Sequence, residues 1–183
     1  MRFSFALLCL LLTGCAAKQD LPFMGQVPAF QMISQDGKPF NSETLSGHVW
    51  IADFIFTNCP GPCLRMSSQM HKVQTATAGN PQIRLLSFTV DPARDSPPVL
   101  AAFASRYQAD PARWVFLTGK PETLQMLSRE TFKLGDVDGS LNHSTRFVLV
   151  DKRGRVRGIY ATQDGDPVGK VSAAAVHLQK ENS

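Results

Sequence analysis

The stretch Val49-Trp50-Ile51-Ala52-Asp53-Phe54-Ile55-Phe56 holds a single charged residue, Asp53. A strand that is apolar on both faces needs cover on both sides, which a central strand of an α/β sheet receives. The neighbouring segments agree. Cys63 to about Ala78 carries Leu64, Met66, Met70 and Val73 at helical spacing. Ile83 to Val90 is a second buried strand, and Asp95-Ser96-Pro97 opens a helix to about Tyr107 with a capping residue and a proline at its first position. Trp114 to Leu117 is a third strand, and Pro121 to about Arg129 a third helix. Phe147–Val150 and Val156–Tyr160 form a hairpin around Arg153-Gly154, and a last helix runs from about Pro167 to Gln179. Ahead of them, Ala29–Ile33 and Lys38–Phe40 flank Asp36-Gly37, a strong hairpin turn signal. Strands alternating with helices, then a hairpin and a closing helix, predict an α/β fold with a mixed sheet. That order is the one expected of a thioredoxin-like fold with an N-terminal β-hairpin.

The first residues stand outside this pattern. Met1-Arg2 is followed by an almost unbroken apolar run from Phe3 to Leu12, then Thr13-Gly14-Cys15. The run is too short to span a bilayer and has the build of an export signal. Leu12-Thr13-Gly14-Cys15 resembles the lipobox of bacterial lipoproteins, which implies cleavage before Cys15 and lipid on that residue. Three regions are therefore expected: a signal peptide over 1–14, a lipidated tether over 15–27, and one folded domain over 28–183. The protein is expected to be exported and held by its lipid on a membrane, facing the periplasm or the cell exterior.

With 43% hydrophobic and 19% charged residues, the whole sequence has globular composition. The net charge of +4 is small and spread out. Its densest cluster, Lys152, Arg153, Arg155 and Arg157, brackets Gly154 and reads as a solvated hairpin tip. No aromatic residues interleave with it, so nucleic acid is not an expected partner.

Of the four cysteines, Cys9 leaves with the signal and Cys15 is lipidated, so Cys59 and Cys63 remain. Phe56-Thr57-Asn58-Cys59-Pro60-Gly61-Pro62-Cys63 joins the central strand to the first helix. Sites form at the carboxyl ends of strands in open α/β sheets, and a helix amino terminus favours thiolate. The spacing suits either a disulfide or a shared metal ion.

Asp91-Pro92-Ala93-Arg94-Asp95-Ser96-Pro97 follows the second strand, and Leu141-Asn142-His143-Ser144 precedes the strand at Phe147. Together with Phe56-Thr57-x-Cys59-Pro60-x-x-Cys63 and Gly154-Arg155-Val156-Arg157-Gly158-Ile159-Tyr160, they resemble the Sco/SenC family of copper chaperones. The resemblance implies a thioredoxin-like fold whose copper ligands are Cys59, Cys63 and His143. It also implies a copper-recipient protein such as a subunit of cytochrome c oxidase, and a thiol reductant protein as partners. The chemistry agrees, since thiolates select Cu(I) and imidazole is a competent third ligand. Three departures from the family pattern bear on Cu(I) against Cu(II): Leu64 replaces a proline, Gly61 an acidic residue and Asn142 an aspartate. His48, His71 and His177 read as ordinary solvated or structural residues, Met66 and Met70 as core, and Asp91 and Asp95 as turn and cap residues. The alternative function is an exported thiol:disulfide oxidoreductase, with Cys59, expected to be the more exposed, attacking and Cys63 resolving.

Overall fold

The computed structural model describes residues 20–59, 61–135 and 144–181, and of Pro62 and Cys63 the backbone. Cys15, Pro60, Asn142 and His143 lie outside the described residues. Strands are β1 (Gly25–Gln26), β2 (Gln31–Ser34), β3 (Pro39–Asn41), β4 (Trp50–Ile55), β5 (Arg84–Thr89), β6 (Trp114–Thr118), β7 (Arg146–Val150) and β8 (Arg155–Ala161). Helices are α1 (Pro62–Ala76), α2 (Pro97–Arg106), α3 (Pro121–Gln125) and α4 (Pro167–Lys180). The strands make one open sheet in the order β1-β8-β7-β4-β5-β6-β2-β3. β4, β5 and β6 are parallel, and the flanking pairs are antiparallel. This is the expected mixed sheet, with the apolar octet at its centre and every residue of β4 buried.

Side-chain alternation separates two faces. Phe54 and Phe88 stack at 5.2 Å on one face, where Phe132 meets Trp50, Phe54 and Phe88 and Phe30 meets Phe88. Phe132 follows a π-helical turn, Met126–Thr131, that continues α3 and carries it past the expected end at Arg129. On the other face Trp114 stacks on Phe116, which Phe103 of α2 meets edge-on. Met66, Met70 and Val73 of α1 are fully buried, and α1 packs against α4. The hairpin turn at Asp36-Gly37 forms as its sequence predicts, with Gly37 at φ +79°, a conformation L side chains rarely adopt.

Two expectations need amendment. The tether expected over 15–27 is docked in its described part, because β1 pairs antiparallel with β8. The basic cluster is also not a solvated tip. Arg157 is buried and donates to Asp151 Oδ2 and to the carbonyls of Leu21 and Pro22. Lys152 donates to the carbonyls of Gln179 and Glu181, and Arg155 pairs with Asp151. Burial alone would push the Asp151 carboxyl up. The hydrogen bonds from Arg157 and from the Arg153 and Arg155 segment hold it below the usual carboxylate range. Arg153 alone of the four is exposed.

Asp53, the one charge in the octet, is fully buried on the α2 face. Ser87 donates to its Oδ1 at 2.6 Å, and Trp114 Nε1 donates in turn to Ser87 Oγ at 2.9 Å. Oδ2 has no hydrogen-bond partner. Burial outweighs the Ser87 bond and pushes this carboxyl up to about 7. Its folded value therefore lies above its unfolded value, and the folded state holds a proton that the unfolded chain releases above about pH 4. Stability from this group is complete below pH 4 and falls as pH rises to about 7. Asp53→Asn should remove that loss. In urea titrations the variant should match wild type near pH 4 and exceed it at pH 8 by on the order of 2–4 kcal/mol. An equal difference at both pH values would mean that Asp53 is ionised throughout.

Candidate metal centre

The segment between β4 and α1 is held from the side. Val90 N donates to Ile55 O at 2.8 Å as the last rung of the parallel ladder. Beyond that rung the chain after β5 turns away at Asp91-Pro92, and Thr57 N needs another acceptor. Asp95 supplies it. Its buried carboxylate accepts from Thr57 N at 3.1 Å, from Thr57 Oγ1 at 2.6 Å and from Thr89 Oγ1 at 2.6 Å. Thr89 Oγ1 accepts from Asp91 N, and Asp91 O accepts from Asp95 N, so the β5–α2 turn is closed by the same group. Ser96 is the residue that precedes α2, and its side chain makes no capping bond. Asp95 thus does not cap the helix as expected; it fixes the backbone two residues before Cys59.

Cys59 is buried, at 7% exposure, and its neighbour Asn58 is exposed. α1 begins one residue before Cys63, with Gly61 preceding it and no acidic residue in its first turn. The positive end of the helix dipole meets no acid from the helix's own first turn.

The distant loop enters through β7. The register pairs Trp50 with Val150, Ile51 with Leu149 and Ala52 with Val148. Because the pairing is antiparallel, β7 begins at the end of the sheet where β4 leads into the Cys59 loop. This end of β7 is tied to α1 through Thr162. Thr162 N and Oγ1 both donate to Thr145 O at 2.9 Å, and Gln69 Nε2 of α1 donates to Thr162 O at 3.0 Å. The strand that leads out of His143 is fixed to the helix that begins with the Cys63 segment. Of the other histidines, His48 Nδ1 lies 3.0 Å from Gln82 O, His177 Nε2 lies 3.3 Å from Glu181 Oε1, and His71 sits within α1 with its Nδ1 buried and without a hydrogen-bond partner. Among the described residues no group of three histidine, cysteine or acidic side chains is gathered for a metal.

The SCO1/SenC family model matches residues 21–176. The chain belongs to the SCO1/SenC family. One family relative, named "Putative copper-binding protein" in Stutzerimonas stutzeri, is 35% identical over 75% of this chain and 70% of its own. A SCO1/SenC family lipoprotein from Bacillus anthracis has a crystal structure with a TM-score of 0.77 and 33% identity, covering 85% of this chain and 96% of that one. BsSco, a member of the Sco family of cytochrome c oxidase assembly proteins in which a disulfide switch was identified, has a TM-score of 0.78 and 31% identity. It is covered in full by 90% of this chain. The thioredoxin-like fold of the family is thus the fold of this chain.

Reading the sequence missed Asp95 as a support of the site, because its partner Thr57 is 38 residues away. The Thr57 hydroxyl beside the cysteine loop was the available signal. Asp95→Ala should leave Thr57 N–H and two hydroxyls without their acceptor. We expect a loss of about 3 kcal/mol, or roughly 10 °C in Tm. In the reduced variant Cys59 should also be alkylated by iodoacetamide several times faster than in wild type. Unchanged alkylation beside a lowered Tm would limit Asp95 to a role in stability.

Proposed function

We propose that this chain is an exported copper chaperone that carries Cu(I) on Cys59, Cys63 and His143 and passes it to a membrane-bound recipient. The observation that carries the reading is the antiparallel pairing of β7 with β4, which starts β7 at the end of the sheet where β4 runs into the Cys59 loop. Two thiolates and an imidazole form a soft donor set suited to Cu(I). With only three protein ligands, a thiolate or imidazole of the recipient can join before one of them leaves, which suits a cargo that must be released. The name of the Stutzerimonas relative supports copper, and that of BsSco supports an oxidase subunit as recipient.

A redox role of the same pair is the second reading, favoured by the uncompensated α1 terminus and by the disulfide switch of BsSco. In it the Cys59 thiolate attacks a partner disulfide and Cys63 displaces the mixed disulfide. The partner gains two electrons and two protons as the Cys59–Cys63 bond forms. Copper carriage needs the reduced pair, so a thiol reductant protein serves both readings. The Leu12-Thr13-Gly14-Cys15 motif supports anchoring of the exported chain by lipid on Cys15, as does the lipoprotein status of the Bacillus anthracis relative. No helix among the described residues is long and apolar enough to cross a membrane.

Two measurements test this. In anaerobic competition against a chromophoric chelator, His143→Ala should weaken Cu(I) binding by orders of magnitude while thiol titration still shows the Cys59–Cys63 disulfide forming. Unchanged affinity would remove His143 from the site. A wild type that holds no copper but reduces disulfides catalytically would establish the oxidoreductase instead. The full chain expressed in a bacterium should incorporate radioactive palmitate, and Cys15→Ser should not. Label persisting in Cys15→Ser would place the lipid elsewhere.

A further inference from the structure

Phe23 and Met24 are the most exposed large apolar side chains among the described residues, at 66% and 51%. Exposed apolar side chains usually sit on loosely held chain, but these do not. Met24 N donates to Val156 O at 2.9 Å, and Val27 N to Gly154 O at 2.9 Å. Arg157 Nη2 donates to Leu21 O at 2.7 Å, and its Nε reaches Leu21 O and Pro22 O. The guanidinium is fixed in turn by Asp151 at 3.0 Å and Glu181 at 3.6 Å. Gln26 Nε2 donates to Arg153 O at 2.8 Å. Residues 21–27 are stapled along the outer edge of the sheet, and the staple holds Phe23 and Met24 outward. An apolar sheet edge left bare in water invites association, and natural edges are normally charged, bulged or covered.

The length of chain ahead of this edge indicates what covers it. Seven residues lie between Phe23 and Cys15. Their eight Cα–Cα steps cannot exceed about 29 Å when extended. Lipid on Cys15 would set that residue at the membrane interface and keep the edge within this distance of it. Aromatic and sulfur-containing side chains partition into the boundary between headgroups and acyl chains. Lys18 and Asp20 cancel in the connecting segment, and the exposed Arg153 beside β1 suits an anionic surface.

We propose that Phe23 and Met24 form a second membrane contact, laying the β1 edge of the sheet on the bilayer that holds lipidated Cys15. The inference rests on the reading of Cys15 as the lipid anchor. It sets the orientation of the site. β8 and β7 separate β1 from β4, so the cysteine loop stands about 15 Å from the bilayer across the sheet. At that height it faces along the membrane toward a recipient seated in the same bilayer.

The test uses the full chain carrying Phe23→Trp, reconstituted into vesicles of phosphatidylcholine and phosphatidylglycerol. The native Trp50 and Trp114 are 2% and 0% exposed, and their emission is subtracted with wild type. The introduced indole should emit at shorter wavelength than in lipid-free protein, and dibrominated phosphatidylcholine should quench it at least about twofold, as an interfacial side chain requires. Mass analysis of the N-terminal peptide reports the lipid on Cys15 separately. Lipid present with an unquenched, water-exposed indole overturns the second contact and leaves the anchor standing. If Cys15 carries no lipid, the anchor reading fails, and the same variant is added to preformed vesicles: quenching there supports the contact and its absence overturns it. A blue-shifted indole that bromine does not quench, in protein that sediments as a dimer, shows that a second copy covers the edge and also overturns it.

Discussion

One buried carboxylate, that of Asp95, determines where the chain goes after the central strand. Parallel strands β4 and β5 share a ladder that ends at Val90 N–H to Ile55 C=O. Past it the two chains diverge, one into α1 and the other into α2. A buried backbone N–H without an acceptor would be costly at this fork. Asp95 accepts from Thr57 on one branch and Thr89 on the other, and so closes the fork with charge-assisted bonds. The β4–α1 connection holds two prolines and one glycine between Thr57 and Cys63, and its entry is fixed before the cysteines are reached. A site that must ligate, release or oxidise its sulfurs gains from this, since less freedom is lost on each ligation.

A second carboxylate does comparable work at the opposite end of the sheet. Asp151 gathers Arg155, Arg157 and the backbone of the β7–β8 turn. Arg157 extends the network to the incoming chain at Leu21 and Pro22 and to Glu181 at the end of α4. The entry of the domain and its last helix are thereby fastened to one strand pair, β7–β8. The same β7 begins at the end of the sheet where β4 enters the cysteine loop, so one strand joins the network to that end.

What the sequence made legible was local. The octet at Val49–Phe56 declares a central strand, Asp36-Gly37 a hairpin, and the Cys59–Cys63 loop a strand–helix junction, because each signal lies within a few consecutive residues. The misread features depend on partners far along the chain. Arg157 looked solvated because Asp151 is near in sequence but Leu21, 136 residues away, is what buries it. Residues 21–27 looked like tether because a two-residue strand has no periodicity to detect, and only the free edge of β8 makes it a strand. Asp95 looked like a cap because a capping residue and a residue that reaches across to another strand share one local pattern, Asp-Ser-Pro. Asp53 gave a clear sign, a lone acid in an apolar strand, but its partners Ser87 and Trp114 come from two other strands.

The departures of this chain from the family pattern act in one direction on the proposed site. Gly61 and Asn142 stand where many members carry carboxylates, and α1 has no acid in its first turn. Carboxylate oxygens are hard donors that favour Cu(II) and other divalent ions, and their negative charge raises the pKa of a neighbouring thiol. Without them the proposed ligand set of two sulfurs and an imidazole gains no hard donor from these two positions. Under the proposed reading, both effects would favour Cu(I) over Cu(II). Under the same reading, a recipient's thiolate would meet no carboxylate from either of these positions.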